Sequence, residues 1–76
     1  MNPAKQSYKQ TFTVAIVFCK QQDGTYACKK YQWSIKYNQH YVSKFCNDMK
    51  RKFFNAEYVN FYNKETREFL ERIYLE

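Results

Sequence analysis

Three cysteines and one histidine are the side chains of this sequence with the most specific chemistry. Cys19, Cys28, His40 and Cys46 are ligand types that zinc accepts, but they lack the short C-x2-C spacing that is typical of a zinc site. On a helix, His40 and Cys46 would also lie on different faces. We therefore predict no metal and no other cofactor.

Catalysis has equally little support in the sequence. The single histidine has no serine or cysteine that spacing identifies as its partner. Glu65, Glu68 and Glu71 recur in steps of three, which on a helix is typical of a solvated face rather than of an acid and base pair. Gly24 is the only glycine, so a glycine-rich phosphate loop is excluded. We predict that the protein is not an enzyme and has no catalytic residues.

Basic side chains are the remaining candidates for a functional surface. The net charge is +6, and residues 1–52 hold ten lysines and arginines against two aspartates. Such cations neutralise phosphates, which supplies most of the non-specific affinity for nucleic acid. The predicted nucleic-acid-binding residues lie near the first turn, on the second strand and on a helix: Lys20, Lys30, Lys36, Lys44, Lys50, Arg51 and Lys52.

The composition predicts one folded domain. A chain of 76 residues with sixteen Phe, Tyr and Trp side chains, one Gly and one Pro suits a single ring-rich core. Residues 1–10 form a polar basic N-terminal arm in this interpretation, and residues 11–76 form a single α+β domain.

The longest apolar run, Val14 to Cys19, is far shorter than the roughly 20 residues that span a bilayer. With no signal-peptide pattern and an odd number of cysteines, we predict a cytoplasmic protein with no membrane partner.

A β-hairpin must position the strand lysines. Thr11 to Cys19 is β-branched and aromatic, and Asp23-Gly24 predicts a two-residue type I′ turn that returns the chain as Thr25 to Tyr37. A one-residue slip would pair apolar with polar residues, and the pattern argues against it. The predicted register instead gives one wholly apolar face, in which Phe12 pairs with Ile35, Val14 with Trp33, and Ile16 with Tyr31.

The same register assigns the remaining hairpin residues to one face or the other. Lys30 and Lys36 point away from the apolar face, whereas Lys29 lies on the inner side, where its stem can cover rings. Cys19 and Cys28 become direct neighbours. In a reducing compartment free thiols are favoured over a disulfide between them.

The second half of the chain predicts a helix, a strand and an ambiguous end. Asn38 suits the N-cap of an amphipathic helix from about Gln39 to Phe54. Its apolar stripe consists of Val42, Phe45, Cys46, Met49 and Phe53. Residues 57–62 resemble a short strand with Val59 and Phe61 on one side. Residues 64–74 suit a C-terminal helix, which propensity favours, or a hairpin with its turn at NKET.

The predicted fold class is therefore α+β. An N-terminal antiparallel hairpin packs on an amphipathic helix and is followed by a short strand and a C-terminal helix. The alternative is a ββαββ order with a C-terminal hairpin.

Two functions fit these features. The first is a small basic regulatory protein that binds nucleic acid, RNA ahead of duplex DNA, because no helix-turn-helix, zinc finger or basic zipper is present. The alternative is a protein-binding inhibitor or adaptor, in the style of a small phage-encoded regulator or counter-defence protein that occludes a host enzyme.

The oligomeric state stays open, including a dimer formed through a sheet edge. Four tyrosines outside the predicted core are candidates for stacking on bases: Tyr26, Tyr41, Tyr58 and Tyr62.

Overall fold

A four-stranded antiparallel sheet with one helix against one face accounts for residues 11–75, the part of the chain that the computed structural model describes. The strand order is β2-β1-β3-β4, so β1 and β3 are central. This arrangement confirms the α+β class, while the predicted arm at residues 1–10 lies outside the described residues. Along the chain the elements are β1 (Thr13–Lys20), β2 (Tyr26–Trp33), α1 (Gln39–Lys52), β3 (Ala56–Asn63) and β4 (Phe69–Tyr74).

The hairpin of β1 and β2 differs from the predicted one by one residue. Val14 lies opposite Gln32 and Ile16 lies opposite Lys30, which is the slip that the alternation of apolar residues argued against. The predicted register was therefore wrong. Because side chains alternate along a strand, β1 turns the face with Val14 and Ile16 away from the helix. Tyr31 of β2 still faces the core.

The loop between the strands explains the register. Gln21 N–H donates to the carbonyl of Thr25 at 2.8 Å, and Gly24 N–H donates to the carbonyl of Gln21 at 3.0 Å, which closes a three-residue loop. Gly24 alone in this loop has a positive φ, 90°, whereas a type I′ turn would require one at Asp23 as well. The Asp23 carboxylate instead accepts from the N–H and the hydroxyl of Thr25, which also lowers the pKa of Asp23.

The core lies between α1 and the β1 face that carries the smaller side chains. Ala15 and Val17 of β1 are completely buried, as are Val59 and Phe61 of β3. The structure therefore confirms the predicted orientation of β3, but it places Phe12, Val14 and Ile16 outside this core. Ile35, also predicted to be core, is 39% exposed. Around the buried strands pack Tyr31, Trp33, Val42, Phe45, Cys46, Met49 and Phe53.

Helix α1 has the predicted N-cap and the predicted apolar stripe. The side chain of Asn38 accepts a hydrogen bond from Tyr41 N–H at 3.1 Å, which satisfies one of the free donors of the first turn. The helix ends two residues earlier than predicted, at Lys52, because Phe53 adopts an extended conformation. Within residues 11–75, α1 is too short and too polar to form a membrane span.

The C-terminal segment is a strand, so the favoured helix was wrong and the order of elements is that of the ββαββ alternative. Asn63 caps the turn before β4, since its side-chain oxygen accepts from the N–H groups of Glu65 and Thr66, both at 2.9 Å. Ile73 then pairs with Val59 of β3 and packs on the core. Pairing with a central strand outweighs the modest helix propensity of this segment.

A side-chain cluster connects the start of α1 to β4. The Tyr37 hydroxyl donates to the Glu71 carboxylate, and Gln39 Nε2 donates to the same oxygen at 3.1 Å. Partial burial, followed by the bond to Glu71, raises the pKa of Tyr37 to about 12. The folded state therefore retains this phenol proton at pH values where an unfolded chain has lost it.

The observed register makes opposite predictions for two neighbouring residues. Val17→Glu places a carboxylate in the core, at a cost of several kcal/mol. Because the free energy of unfolding of a domain is only roughly 5–15 kcal/mol, we expect this variant to unfold. Ile16→Glu places the same group beside Lys30 on the other face, and we expect the fold to persist. Circular dichroism and thermal unfolding of both variants check this. A folded Val17→Glu with an unfolded Ile16→Glu would restore the predicted register.

The Tyr37 hydrogen bond should make stability depend on pH in the alkaline range. A folded-state pKa above the unfolded value of about 10 means that the contribution is complete below about pH 10 and is lost as the pH rises toward 12. We expect Tyr37→Phe to lower the free energy of unfolding by about 1 kcal/mol at neutral pH. The difference from wild type should shrink above pH 10 in urea unfolding curves, and a constant difference would contradict this assignment.

Candidate nucleic-acid interface

The face of the sheet that points away from α1, called the open face below, carries rings from all four strands. Alternation along each strand places them there, and none of the described helices or strands covers them. Tyr74 is 61% exposed, Phe69 is 52% exposed and Tyr26 is 41% exposed. The rings of the open face are Phe18, Tyr26, Tyr58, Tyr62, Phe69 and Tyr74.

Four of these rings form a continuous row at one end of the sheet, which we call the aromatic row. Phe18 stacks on Tyr58 with ring centroids 4.7 Å apart and planes 23° apart. The ring centroid of Tyr26 lies 6.2 Å from that of Phe18, and the ring centroid of Tyr74 lies 5.5 Å from that of Tyr58. Strand pairing produces the row, since Tyr58 is opposite both Phe18 and Tyr74. The two exposed ends of the row offer apolar faces to a planar ligand.

The guanidinium group of Arg72 lies over a ring of this row. Its guanidinium carbon is 4.2 Å from the centroid of Tyr58, and its Nε donates to Asn60 Oδ1 at 2.8 Å. Asn60 is itself buried, so the orientation of the guanidinium is held by a rigid partner. Among the described residues, Arg72 has no carboxylate within ion-pair distance. Its Nη1 also donates to the Tyr74 hydroxyl at 3.4 Å, and its charge and the donors that stay unbonded are available to an anionic ligand beside the rings.

A groove of about 470 Å³ continues the open face away from the aromatic row. Val14 and Ile16 line it, and three cations border it: Lys30, Lys64 and Arg67. An apolar floor with cations at its rim suits a ligand that has flat apolar parts and negative charges.

The predicted basic residues do not form one surface. Lys30 lies on the open face, and Lys20 ends β1 opposite Tyr26 at the aromatic row. Lys36 follows β2, with its amine 5.7 Å from the Phe12 ring centroid. The structure does not bring these residues together with the four on α1, which lie on the other side of the sheet: Lys44, Lys50, Arg51 and Lys52.

The helix charges are also less available than the open-face charges. Arg51 forms an ion pair with Asp48 at 2.8 Å. The Lys52 amine lies 5.5 Å from the centroid of Phe53 and 5.8 Å from that of Tyr31. Lys50 and Lys52 also suit the C-terminal end of the helix dipole, which is an ordinary structural role.

Several open-face residues were not predicted as site residues. Three of the four predicted stacking tyrosines, Tyr26, Tyr58 and Tyr62, do lie there, while Tyr41 lies on α1. Phe18 was not predicted as a site residue, and it lies on the open face opposite Cys28 and Tyr58. Arg72 and Tyr74 were assigned to a helix, although their spacing of two residues would have placed them on one face of a strand.

The cysteines do not form the predicted pair. Cys19 is buried on the helix side opposite Ala27, whereas Cys28 is exposed on the open face opposite Phe18. All three thiols are free. Burial raises the pKa of Cys19, and burial also raises the pKa of Cys46 to about 11. In the part of the chain that the structure describes, His, Cys, Asp and Glu side chains form no group of three that could hold a metal.

Comparison of the chain with protein-family models, with curated proteins and with solved structures gives no match. Its function is therefore inferred from the chemistry of the open face.

The cysteine positions predict one reactive thiol out of three. In the folded protein near neutral pH, a chromogenic disulfide reagent should modify Cys28 rapidly, because the other two thiols are buried and hold their protons. The remaining thiols should react only after denaturation. Cys28→Ser should remove the rapid phase, and rapid reaction of two thiols in the folded wild type would contradict the observed register.

Proposed function

We propose that the protein is a non-enzymatic binder of single-stranded nucleic acid, with RNA ahead of duplex DNA, and that the open face is its binding surface. The observation that supports this most is that the guanidinium group of Arg72 lies over a ring of the aromatic row without a carboxylate partner among the described residues. Rings that stack on unpaired bases, beside cations that contact phosphates, are the common means of binding single strands.

The exposed rings of the open face favour single strands over a duplex. In a duplex the faces of the bases are stacked on one another, so exposed rings such as Tyr74 and Phe69 have no base face to contact. Reading duplex DNA requires a helix or a two-stranded ribbon inside a groove. The rings of this protein instead lie on a broad sheet, where successive unpaired bases can lie side by side.

The distribution of charge supports the same surface. Lys30, Lys64 and Arg67 border the groove, and Lys20 and Arg72 lie at the aromatic row. Unpaired cations attract a phosphate backbone over several ångströms and release counterions when it binds. Phosphates are expected along the rim and bases along the rings.

Removing a ring from the open face should weaken binding, whereas removing a ring from α1 should not. Tyr74→Ala should raise the dissociation constant for a labelled oligouridylate of about ten nucleotides by on the order of tenfold, since one stacked base contributes about 1–3 kcal/mol. Tyr41→Ala is the matched control, because Tyr41 is also exposed but lies on the helix. Fluorescence anisotropy measures both constants. Equal affinities for the two variants would count against the open face.

Salt dependence distinguishes the open face from α1. Lys30→Gln should reduce the slope of log affinity against log salt by about 0.7, the value for one phosphate contact with a single strand. Lys44→Gln, on α1, should leave the slope unchanged. The reverse pattern would make the helix the binding surface. A wild type that binds no oligonucleotide but co-purifies with one protein at high salt would favour the inhibitor alternative.

A further inference from the structure

Asn60 is a polar side chain in a buried position on the central strand β3, where it is 5% exposed. Burial of an amide is costly unless its hydrogen bonds are satisfied. Its Oδ1 accepts from Arg72 Nε at 2.8 Å, and its Nδ2 donates to the Tyr62 hydroxyl at 3.3 Å. Strand pairing brings about the first contact, since Asn60 lies opposite Arg72. The buried amide therefore fixes the Nε edge of the guanidinium.

The two Nη groups of Arg72 keep donors for a ligand. Nη1 makes one long bond, to the Tyr74 hydroxyl at 3.4 Å, and Nη2 has no acceptor among the described residues. A guanidinium is planar, so its Nη groups donate side by side and suit two acceptors on one edge of a ligand. Arg72 can therefore form a bidentate contact while Asn60 holds its orientation.

Arg72 lies among the rings of the open face rather than at the border of the groove. Its guanidinium carbon is 4.2 Å from the ring centroid of Tyr58 and 6.0 Å from that of Tyr74. Tyr74 is 61% exposed, and its hydroxyl is within hydrogen-bond distance of Nη1. A base that stacks on Tyr74 therefore brings an edge within reach of the Nη groups. Lys30 and Lys64 instead border the groove, where phosphates are expected.

We propose that Arg72 selects guanine in the bound single strand, by donating from its two Nη groups to O6 and N7 of a base stacked on Tyr74. This inference rests on the proposed function. Guanine presents these two adjacent acceptors on one edge, whereas adenine has a donor amino group beside N7. Uracil places N3–H between its two carbonyl oxygens. Cytosine has adjacent acceptors at O2 and N3, but its O2 lies beside the ribose, and its smaller ring covers less of a tyrosine.

Base substitution within one oligonucleotide provides the test. A labelled oligouridylate of about ten nucleotides is compared with strands in which one central uridine is replaced by guanosine, adenosine, cytidine or 7-deazaguanosine, which lacks the N7 acceptor. We expect the guanosine strand to bind the wild type on the order of tenfold more tightly than the adenosine strand, which is the discrimination of one bidentate contact. The 7-deazaguanosine strand should lose most of this gain. Adenosine is the control for stacking, since it is also a purine.

Replacing Arg72 separates its charge from its hydrogen-bond geometry. Arg72→Lys keeps the positive charge but removes the planar pair of donors, so the ratio of guanosine to adenosine affinity should fall to about one. Arg51→Lys is the matched control, because Arg51 lies on α1 in an ion pair with Asp48 and its replacement should leave this ratio unchanged. Thermal unfolding checks that both variants are folded. The 7-deazaguanosine strand tests the same contact in the wild type, so the result does not depend on either variant.

Each outcome decides the proposal. A preference for guanosine that is lost with Arg72→Lys and with 7-deazaguanosine supports it. Equal affinity for all strands overturns it, because Arg72 would then contact only phosphates, and the proposed function survives if Tyr74→Ala still weakens binding. A preference for another base, or a guanosine preference that survives either change, also overturns it. If no strand binds the wild type, the proposed function fails and this inference fails with it.

Discussion

The length of the loop between β1 and β2 determines which face of β1 meets the helix. Both faces of this strand are apolar, so hydrophobic alternation does not choose between them, and the hydrogen bonds around Gly24 do. The face turned inward carries the smaller side chains, including Ala15, Val17 and Cys19. Small residues on a central strand leave room above it for large rings from the neighbouring elements.

Those rings fill the core around Phe61. Trp33, Tyr37 and Phe45 lie with their centroids 5.6 Å, 5.7 Å and 6.0 Å from that of Phe61. Each pair is tilted or edge-to-face, the geometry that aromatic side chains prefer. The larger residues of β1, including Phe18, are consequently left for the other face. The open face and its aromatic row are thus a direct result of how the core is filled.

The elements with strong local signals could be predicted from the sequence. Asn38 and the helical spacing that begins at Val42 identify α1, and the alternation of Val59 and Phe61 identifies the inner side of β3. The register of the hairpin could not be predicted in this way, because Asp23-Gly24 is compatible with a two-residue or a three-residue loop. The C-terminal strand was missed because it depends on pairing with β3, a contact that local propensity does not report.

The sequence predicted part of the candidate site, from its basic residues and from three of its tyrosines. The excess of basic residues led to the prediction of Lys20 and Lys30, which lie on the open face. It led equally to the prediction of the helix lysines, which do not lie there. Phe18 and Arg72 could not be assigned to a shared surface without the register of β1 and the existence of β4. A binding surface on a sheet is assembled from residues of separate strands, so its composition follows from the pairing rather than from any short motif.

In the proposed function the open face, and not the helix, contacts a single strand. The most direct measurement is a nuclear magnetic resonance titration of the labelled protein with an oligouridylate of about ten nucleotides, within the usual site size of such domains. We expect the largest shifts and line broadening at Cys28, Lys30, Asn60 and Arg72, together with the ring protons of Tyr58 and Tyr74. Shifts confined to the exposed side of α1, at Lys44 and Lys50, would contradict it.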